Sequence, residues 1–178
     1  MKTFLKILIW ILIILILVLI VRGFSGDEDL WICKDGQWER HGNPTLEKPT
    51  TPCIKYDKAQ IEIGGKIIEV DVSDTDYKRE VGLSGRNLLS DDTGMLFIFE
   101  KEGNYGFWMK DMNFPIDIVW INTDFSVIGI EKSVAISTYP KAFGQDYFAK
   151  YVLELPSGFS DKNSLMVGNK ISILEISR

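Results

Sequence analysis

A mainly β domain is predicted for residues 56–178 by three features. Apolar runs of strand length recur at regular spacing. Short turn-forming clusters of Gly, Asn, Asp and Thr separate them. Stretches with helical period are few and short. Strands spaced this way build a sandwich or small barrel carrying one or two short helices, and alternating βαβ units would need longer helices.

Upstream of that domain lies a different kind of segment. From Phe4 to Val21 the chain is apolar except for Lys6, with no Gly or Pro. A helix of this length reaches about 27 Å, close to a hydrocarbon core of roughly 30 Å. Lys2, Lys6 and the terminal amine precede it; Arg22 and then Asp27, Glu28 and Asp29 follow. The cations at the start keep that end in the cytoplasm and place the rest outside the inner or plasma membrane. A cleaved signal peptide is the competing expectation. Its apolar region is usually shorter, and Val21-Arg22-Gly23-Phe24 is a poor cleavage site, so a retained single-pass anchor over 1–22 is favoured.

Residues 23–55 form the exit linker, a small hairpin and a Pro/Thr-rich linker. In Leu30 to Arg40 the Asp35-Gly36 step between β-prone runs signals a two-residue hairpin. That register pairs Lys34 with Gln37, Cys33 with Trp38, Ile32 with Glu39 and Trp31 with Arg40. Trp31, Cys33, Trp38 and Arg40 then share a face. Cys33 and Cys53 are the two cysteines of the chain. In an oxidising compartment they are expected to bridge, closing a loop of about 21 residues worth roughly 3 kcal/mol. The two Trp suggest a tiny binding module or, more simply, a stapled cap on the main domain.

In the main domain, Ala59 to Ile63 and Lys66 to Val72 alternate around Gly64-Gly65, a second hairpin. Ser73-Asp74-Thr75 can cap a short helix from Asp76 to Val81, stopped by Gly82. Gly94 to Phe99, Tyr105 to Met109, Ile116 to Ile121, Ser126 to Glu131, Lys150 to Leu155 and Lys170 to Ile176 are the remaining strand candidates. Asn122-Thr123-Asp124 turns between two of them, and Ser157 to Leu165 can hold a helical turn or two.

Several of these segments, in order, resemble the domain-of-unknown-function 192 family. The resemblance is carried by Gly82-Leu83 with Arg86 and Leu88, Gly94 to Phe99, Phe107-Trp108-Met109-Lys110, Pro115-Ile116-Asp117-Ile118, Tyr139-Pro140, Tyr151 to Leu155 with Gly158, and Val167-Gly168-Asn169. It covers about residues 60–176. It implies a compact, jelly-roll-like β domain, often exported or membrane-attached, whose activity is not established. Four positions depart from the pattern: Ser84 where Met is usual, Asp111-Met112 where Asn-Thr is usual, and Asn169 for Asp.

The chain carries 20 basic and 25 acidic side chains. Setting aside Lys2, Lys6 and Arg22 leaves 17 against 25, a net of −8 for the exterior part. That sign disfavours nucleic acid as a partner. No metal site is expected: the single histidine, His41, sits in the linker, and Asp71, Asp74 and Asp76 read as helix-capping acids. No Gly-rich phosphate loop or nucleophile elbow is present, so no cofactor is expected.

What remains is a set of polar and aromatic residues inside apolar strands. Asp117 alternates with Val119 and Ile121, Glu154 with Val152 and Pro156. A carboxyl on such a face needs partners or neutralises. Arg86, Trp108, Lys110, Asp117, Tyr139 and Glu154 are the candidate ligand-binding residues. Trp108, Tyr139 and Met109 would serve as walls, Arg86 as a clamp for anions, and the carboxyls as acceptors. An envelope glycan, peptide or protein is the expected ligand. The alternatives are a carbohydrate-active hydrolase using Asp117 and Glu154, which must then face one pocket, and a structural accessory domain of a membrane complex. The balance of residues favours binding over catalysis.

Overall fold

The computed structural model describes residues 30–34, 36–45, 47–49 and 53–177. The predicted membrane span and its exit lie outside them. Among the described residues no helix is long and apolar enough to cross a membrane. The chain divides into two units, Met1–Ile54 and Lys55–Arg178.

In the smaller unit, β1 (Leu30–Lys34) and β2 (Gln37–His41) form the expected hairpin, with Cys33 opposite Trp38 and Trp31 opposite Arg40. Gly36 takes φ +79°, which the tight turn requires. The Arg40 guanidinium lies 5.7 Å from the Trp31 ring centroid. Cys33 and Cys53 are joined by a disulfide. Two strands alone are marginal, so the bridge is a main source of this unit's order. Reduction is expected to cost the unit roughly 3 kcal/mol. Amide exchange on the β1–β2 ladder, with and without reductant, checks this; unchanged protection would refute it.

The main unit is built on one seven-stranded sheet. Its strands are β3 (Asp57–Ile63), β4 (Lys66–Ser73), β5 (Thr93–Asn104), β6 (Ile116–Ile121), β7 (Val127–Val134), β8 (Phe148–Pro156) and β9 (Ser172–Ser177). The order across the sheet is β7-β6-β8-β5-β4-β3-β9. Two short helices, α1 (Asp76–Val81) and α2 (Phe159–Lys162), complete it with a single 3-10 turn at Ile136–Thr138. The expected sandwich or barrel is thus corrected. The strands share one sheet, and its edge strands β7 and β9 do not pair to close it. The physical reason is that both faces of this sheet are covered by their own apolar clusters, so a second sheet is unnecessary. The edges do approach each other: Val127 donates to the Asn169 carbonyl at 2.9 Å and Ile171 to that of Phe125 at 2.9 Å, just ahead of β9.

Most local expectations hold for visible reasons. Gly64 and Gly65 take φ +58° and +75°, the left-handed pair that a tight β3–β4 turn needs. Thr75 caps α1 by accepting from the Lys78 amide at 3.2 Å, and Gly82 ends it at φ +52°. β4 and β5 are parallel neighbours, so residues 74–92 must cross over the sheet between them. β6 is buried along its whole length. Ile116, Ile118 and Trp120 enter one cluster and Val119 and Ile121 the other, with period two.

One strand candidate fails. Tyr105 to Met109 forms only an isolated bridge, Phe107 opposite Phe143. Its aromatic side chains serve packing: Phe107 meets Phe97 edge-on at 4.8 Å and Trp120 at 6.1 Å. Trp120 is fully buried and donates to the Tyr105 carbonyl at 3.1 Å. Its indole also lies against Gly144, which has φ +82° and no room for a Cβ. Gly144→Ala is therefore expected to destabilise the unit by about 1–3 kcal/mol. Urea titration measures it, and an unchanged midpoint would show that the indole can move aside.

Candidate functional site

The two embedded carboxyls have different fates. Across the β6–β8 ladder Asp117 pairs with Leu155, and Ile118 with Glu154. Paired residues share a face, so Asp117 belongs to the face of Val119 and Leu155, and Glu154 to that of Ile118 and Met95. The residues lie on opposite sides of the sheet. A two-carboxylate hydrolase needs both in one opening, and this arrangement does not supply it.

Asp117 is completely buried. Its Oδ1 accepts from the amides of Ser133 at 2.8 Å and Gly158 at 3.0 Å, and its Oδ2 from that of Ser160 at 2.8 Å. Gly158 and Ser160 open α2, whose first amides have no partner within the helix. Asp117 thus caps α2 from across the fold and ties it to β6 and the end of β7. Three backbone donors occupy the Asp117 carboxylate, and it does not line the cavity that Glu154 lines.

Glu154 lines a cavity of about 390 Å³ on the other face. Three segments wall this cavity. The crossover brings Asp76, Arg79, Glu80 and Leu83; β5 brings Phe97 and Phe99; the loop after it brings Tyr105, Phe107, Trp108, Lys110 and Met112. Phe97 and Phe99 face inward together because they are two apart on one strand. Phe99 stacks on Tyr105 at 3.5 Å, and the Arg79 guanidinium lies 5.2 Å from the Phe99 centroid. Glu154 is 5% exposed, and its Oε2 has no hydrogen-bond partner. Burial pushes its carboxyl up to about 8, and the nearby Arg86 guanidinium pulls it back only in part. The group is therefore chiefly neutral at pH 7 and able to donate as well as accept.

The other candidates surround this cavity unevenly. Arg86 lies in the crossover, where it binds Asp71 Oδ2 at 2.7 Å and covers the Tyr56 ring at 5.3 Å. Asp71 is also held by Lys58 at 2.8 Å. Arg86 is thus already engaged with an acid. Lys110 lines the cavity with an exposed side chain, and its carbonyl accepts from the Ser84 hydroxyl at 3.1 Å. Trp108 stands at the opening, 54% exposed, with Tyr139 edge-on to it at 6.0 Å. Tyr139 lies outside the lining. Asp74 and Asp76 pair with Lys78 at 3.1 Å and Arg79 at 2.6 Å. Among the described residues no group of three or more His, Cys, Asp and Glu is placed to hold a metal.

Sequence reasoning passed over Phe97, Phe99, Tyr105 and Phe107 as walls. Their signal was present as two aromatic pairs at spacing two, Phe97/Phe99 and Tyr105/Phe107. The spacing marks a shared face without saying whether the face is filled or open.

Two solved structures are similar in fold. One, from Sinorhizobium meliloti 1021, bears the name of a candidate transcription regulator. It has 23% identity and a TM-score of 0.62, covering 67% of this chain and 96% of its own. The other, a protein of unknown function from Novosphingobium aromaticivorans DSM 12444, has 22% identity and a TM-score of 0.58, covering 65% and 83%. At these identities the likeness speaks for fold alone. No curated protein matches the chain. The family profile named DUF192, "Uncharacterized ACR", matches residues 59–173. That stretch holds most of β3, all of β4 to β8 and the start of β9 together with the whole cavity wall, and the chain belongs to the DUF192 family.

Proposed function

We propose that the main unit is a binding module of the cell envelope, held on the outer side of the inner or plasma membrane by the apolar segment at residues 4–21. The observation that carries the binding reading is the cavity beside Glu154. It joins aromatic walls, a solvent-facing Trp108 and a buried carboxyl oxygen without a partner. Small-molecule sites have this character: apolar walls with a few convergent polar groups. The Asp117 and Glu154 pair that a two-carboxylate hydrolase would use is not assembled around it, since Asp117 lies on the other face. The envelope placement is supported by the cations before the apolar segment, the acids after it, and the Cys33–Cys53 bridge, which suits an oxidising compartment.

Thermal shift with short envelope glycans, peptides and small amines tests the binding reading. A ligand at about a hundred times its Kd stabilises by roughly 2.7 kcal/mol. The expected result is a raised Tm that Trp108→Ala diminishes. A flat response to every compound overturns the reading. A reporter fused after Arg178 tests the topology, and activity confined to the cytosol would refute it.

A further inference from the structure

We propose that the cavity takes an organic ammonium ion, an amine carried on a small apolar or ring scaffold, with Glu154 as its counter-charge and the aromatic side chains as its cage. This inference rests on the binding reading above and names the ligand class for that same site.

Charge and shape of the lining argue for it. Glu154 is the acid at the buried wall, and its Oε2 lacks a donor. An ammonium group placed against this carboxyl supplies donors, and a positive charge beyond the partial pull of Arg86. Five aromatic residues line the cavity, and aromatic faces attract cations. This wall already holds one: the Arg79 guanidinium over Phe99.

The neighbouring charges leave that role open. On the crossover, Arg79 is held by Asp76 at 2.6 Å and donates to the Ile98 carbonyl at 2.6 Å. Arg86 binds Asp71 on β4, which Lys58 on β3 also binds, and its charge offsets only part of the burial of Glu154. Glu80 is exposed at the rim on the acidic side, and Lys110 on the basic side. An anionic ligand would draw no charge from Glu154 and would meet Asp76 and Glu80 in the lining.

The inference has a distinctive signature. Glu154 holds its proton in the empty site near neutral pH. A cation placed beside it favours the ionised form. Binding must therefore expel a proton, and affinity must rise with pH by up to about tenfold per unit while the acid stays mostly protonated. A neutral ligand does neither.

The test is isothermal titration of the intact protein with benzylamine and its neutral analogue benzyl alcohol. It is run in phosphate and in MOPS, buffers of different ionisation enthalpy. Benzylamine is expected to bind at least about tenfold more tightly, a gap of about 1.4 kcal/mol, with release of most of one proton. Glu154→Gln is expected to abolish both the preference and the release. If that variant does not fold, the proton count on the unaltered protein decides alone. Equal binding of both probes without proton release overturns the ammonium inference and leaves the pocket as a binding site. Binding of benzyl alcohol alone does the same. If neither binds, the inference falls. The broader glycan and peptide screen then decides the binding reading separately.

Discussion

Replacing Asp117 by alanine is expected to cost the main unit about 3–5 kcal/mol, because it leaves one buried and two part-buried amide hydrogen bonds without their acceptor. Those amides belong to Ser133, Gly158 and Ser160. A domain of this size is stable by only about 5–15 kcal/mol. The variant therefore sits near the edge of folding at body temperature. Asp117→Asn keeps one oxygen but turns an NH₂ toward a donor, and a loss of about 2 kcal/mol is expected. Urea unfolding of both variants measures this. A loss below about 1 kcal/mol for the alanine variant would mean that water replaces the carboxyl, and the capping role would be wrong. The damage should also be local. Amide exchange is expected to rise first at α2 and the end of β7, where the three donors lie.

The second large effect concerns pH. Glu154 loses its proton near 4.5 when exposed and near 8 when folded. Below 4.5 both states are protonated and the group contributes nothing to the pH dependence. Between the two values the folded state keeps a proton that the unfolded state has released, so stability falls as pH rises. The fall is complete once pH passes 8. A shift of this size corresponds to about 5 kcal/mol in total and about 3 kcal/mol by pH 7. Glu154→Gln removes the titration while keeping the shape. Its stability curve is expected to stay flat in this range and to diverge upward from that of the unaltered protein. Urea midpoints near pH 4, 7 and 9 give the result. Parallel curves would show that Glu154 is solvated or paired in the folded state. The direction is opposite to that of an ordinary paired surface acid, which gains stability as pH rises.

Much of the fold was readable because turn chemistry and alternation leave local marks. Asp35-Gly36 set the register of the small hairpin, and Gly64-Gly65 marked the β3–β4 turn. Thr75 and Gly82 bounded α1 at both ends. The continuous apolar run of β6 announced burial on two faces. What stayed hidden is non-local. Nothing near β4 or β5 says that they run side by side in parallel, and that one pairing turns the expected sandwich or barrel into a single sheet. The partners of Asp117 lie between 16 and 43 residues away in the chain. A lone Asp in an apolar strand shows a need for donors without naming them. Tyr105 to Met109 misled for a related reason. Alternating aromatics suit a strand, yet here they fill space around Phe97 and Trp120 while the backbone bridges once. Glu154 was singled out correctly as a carboxyl needing explanation, and its separation from Asp117 followed only from pairing across β6 and β8.

The parallel pairing of β4 and β5 has a further result. A hairpin cannot join such neighbours, so the excursion from 74 to 92 is obligatory, and it is this excursion that encloses one side of the Glu154 chamber. Its middle is free of the ladder that holds the strands. Changes in the length or charge of that excursion therefore reshape the chamber wall while the scaffold beneath keeps its hydrogen bonds.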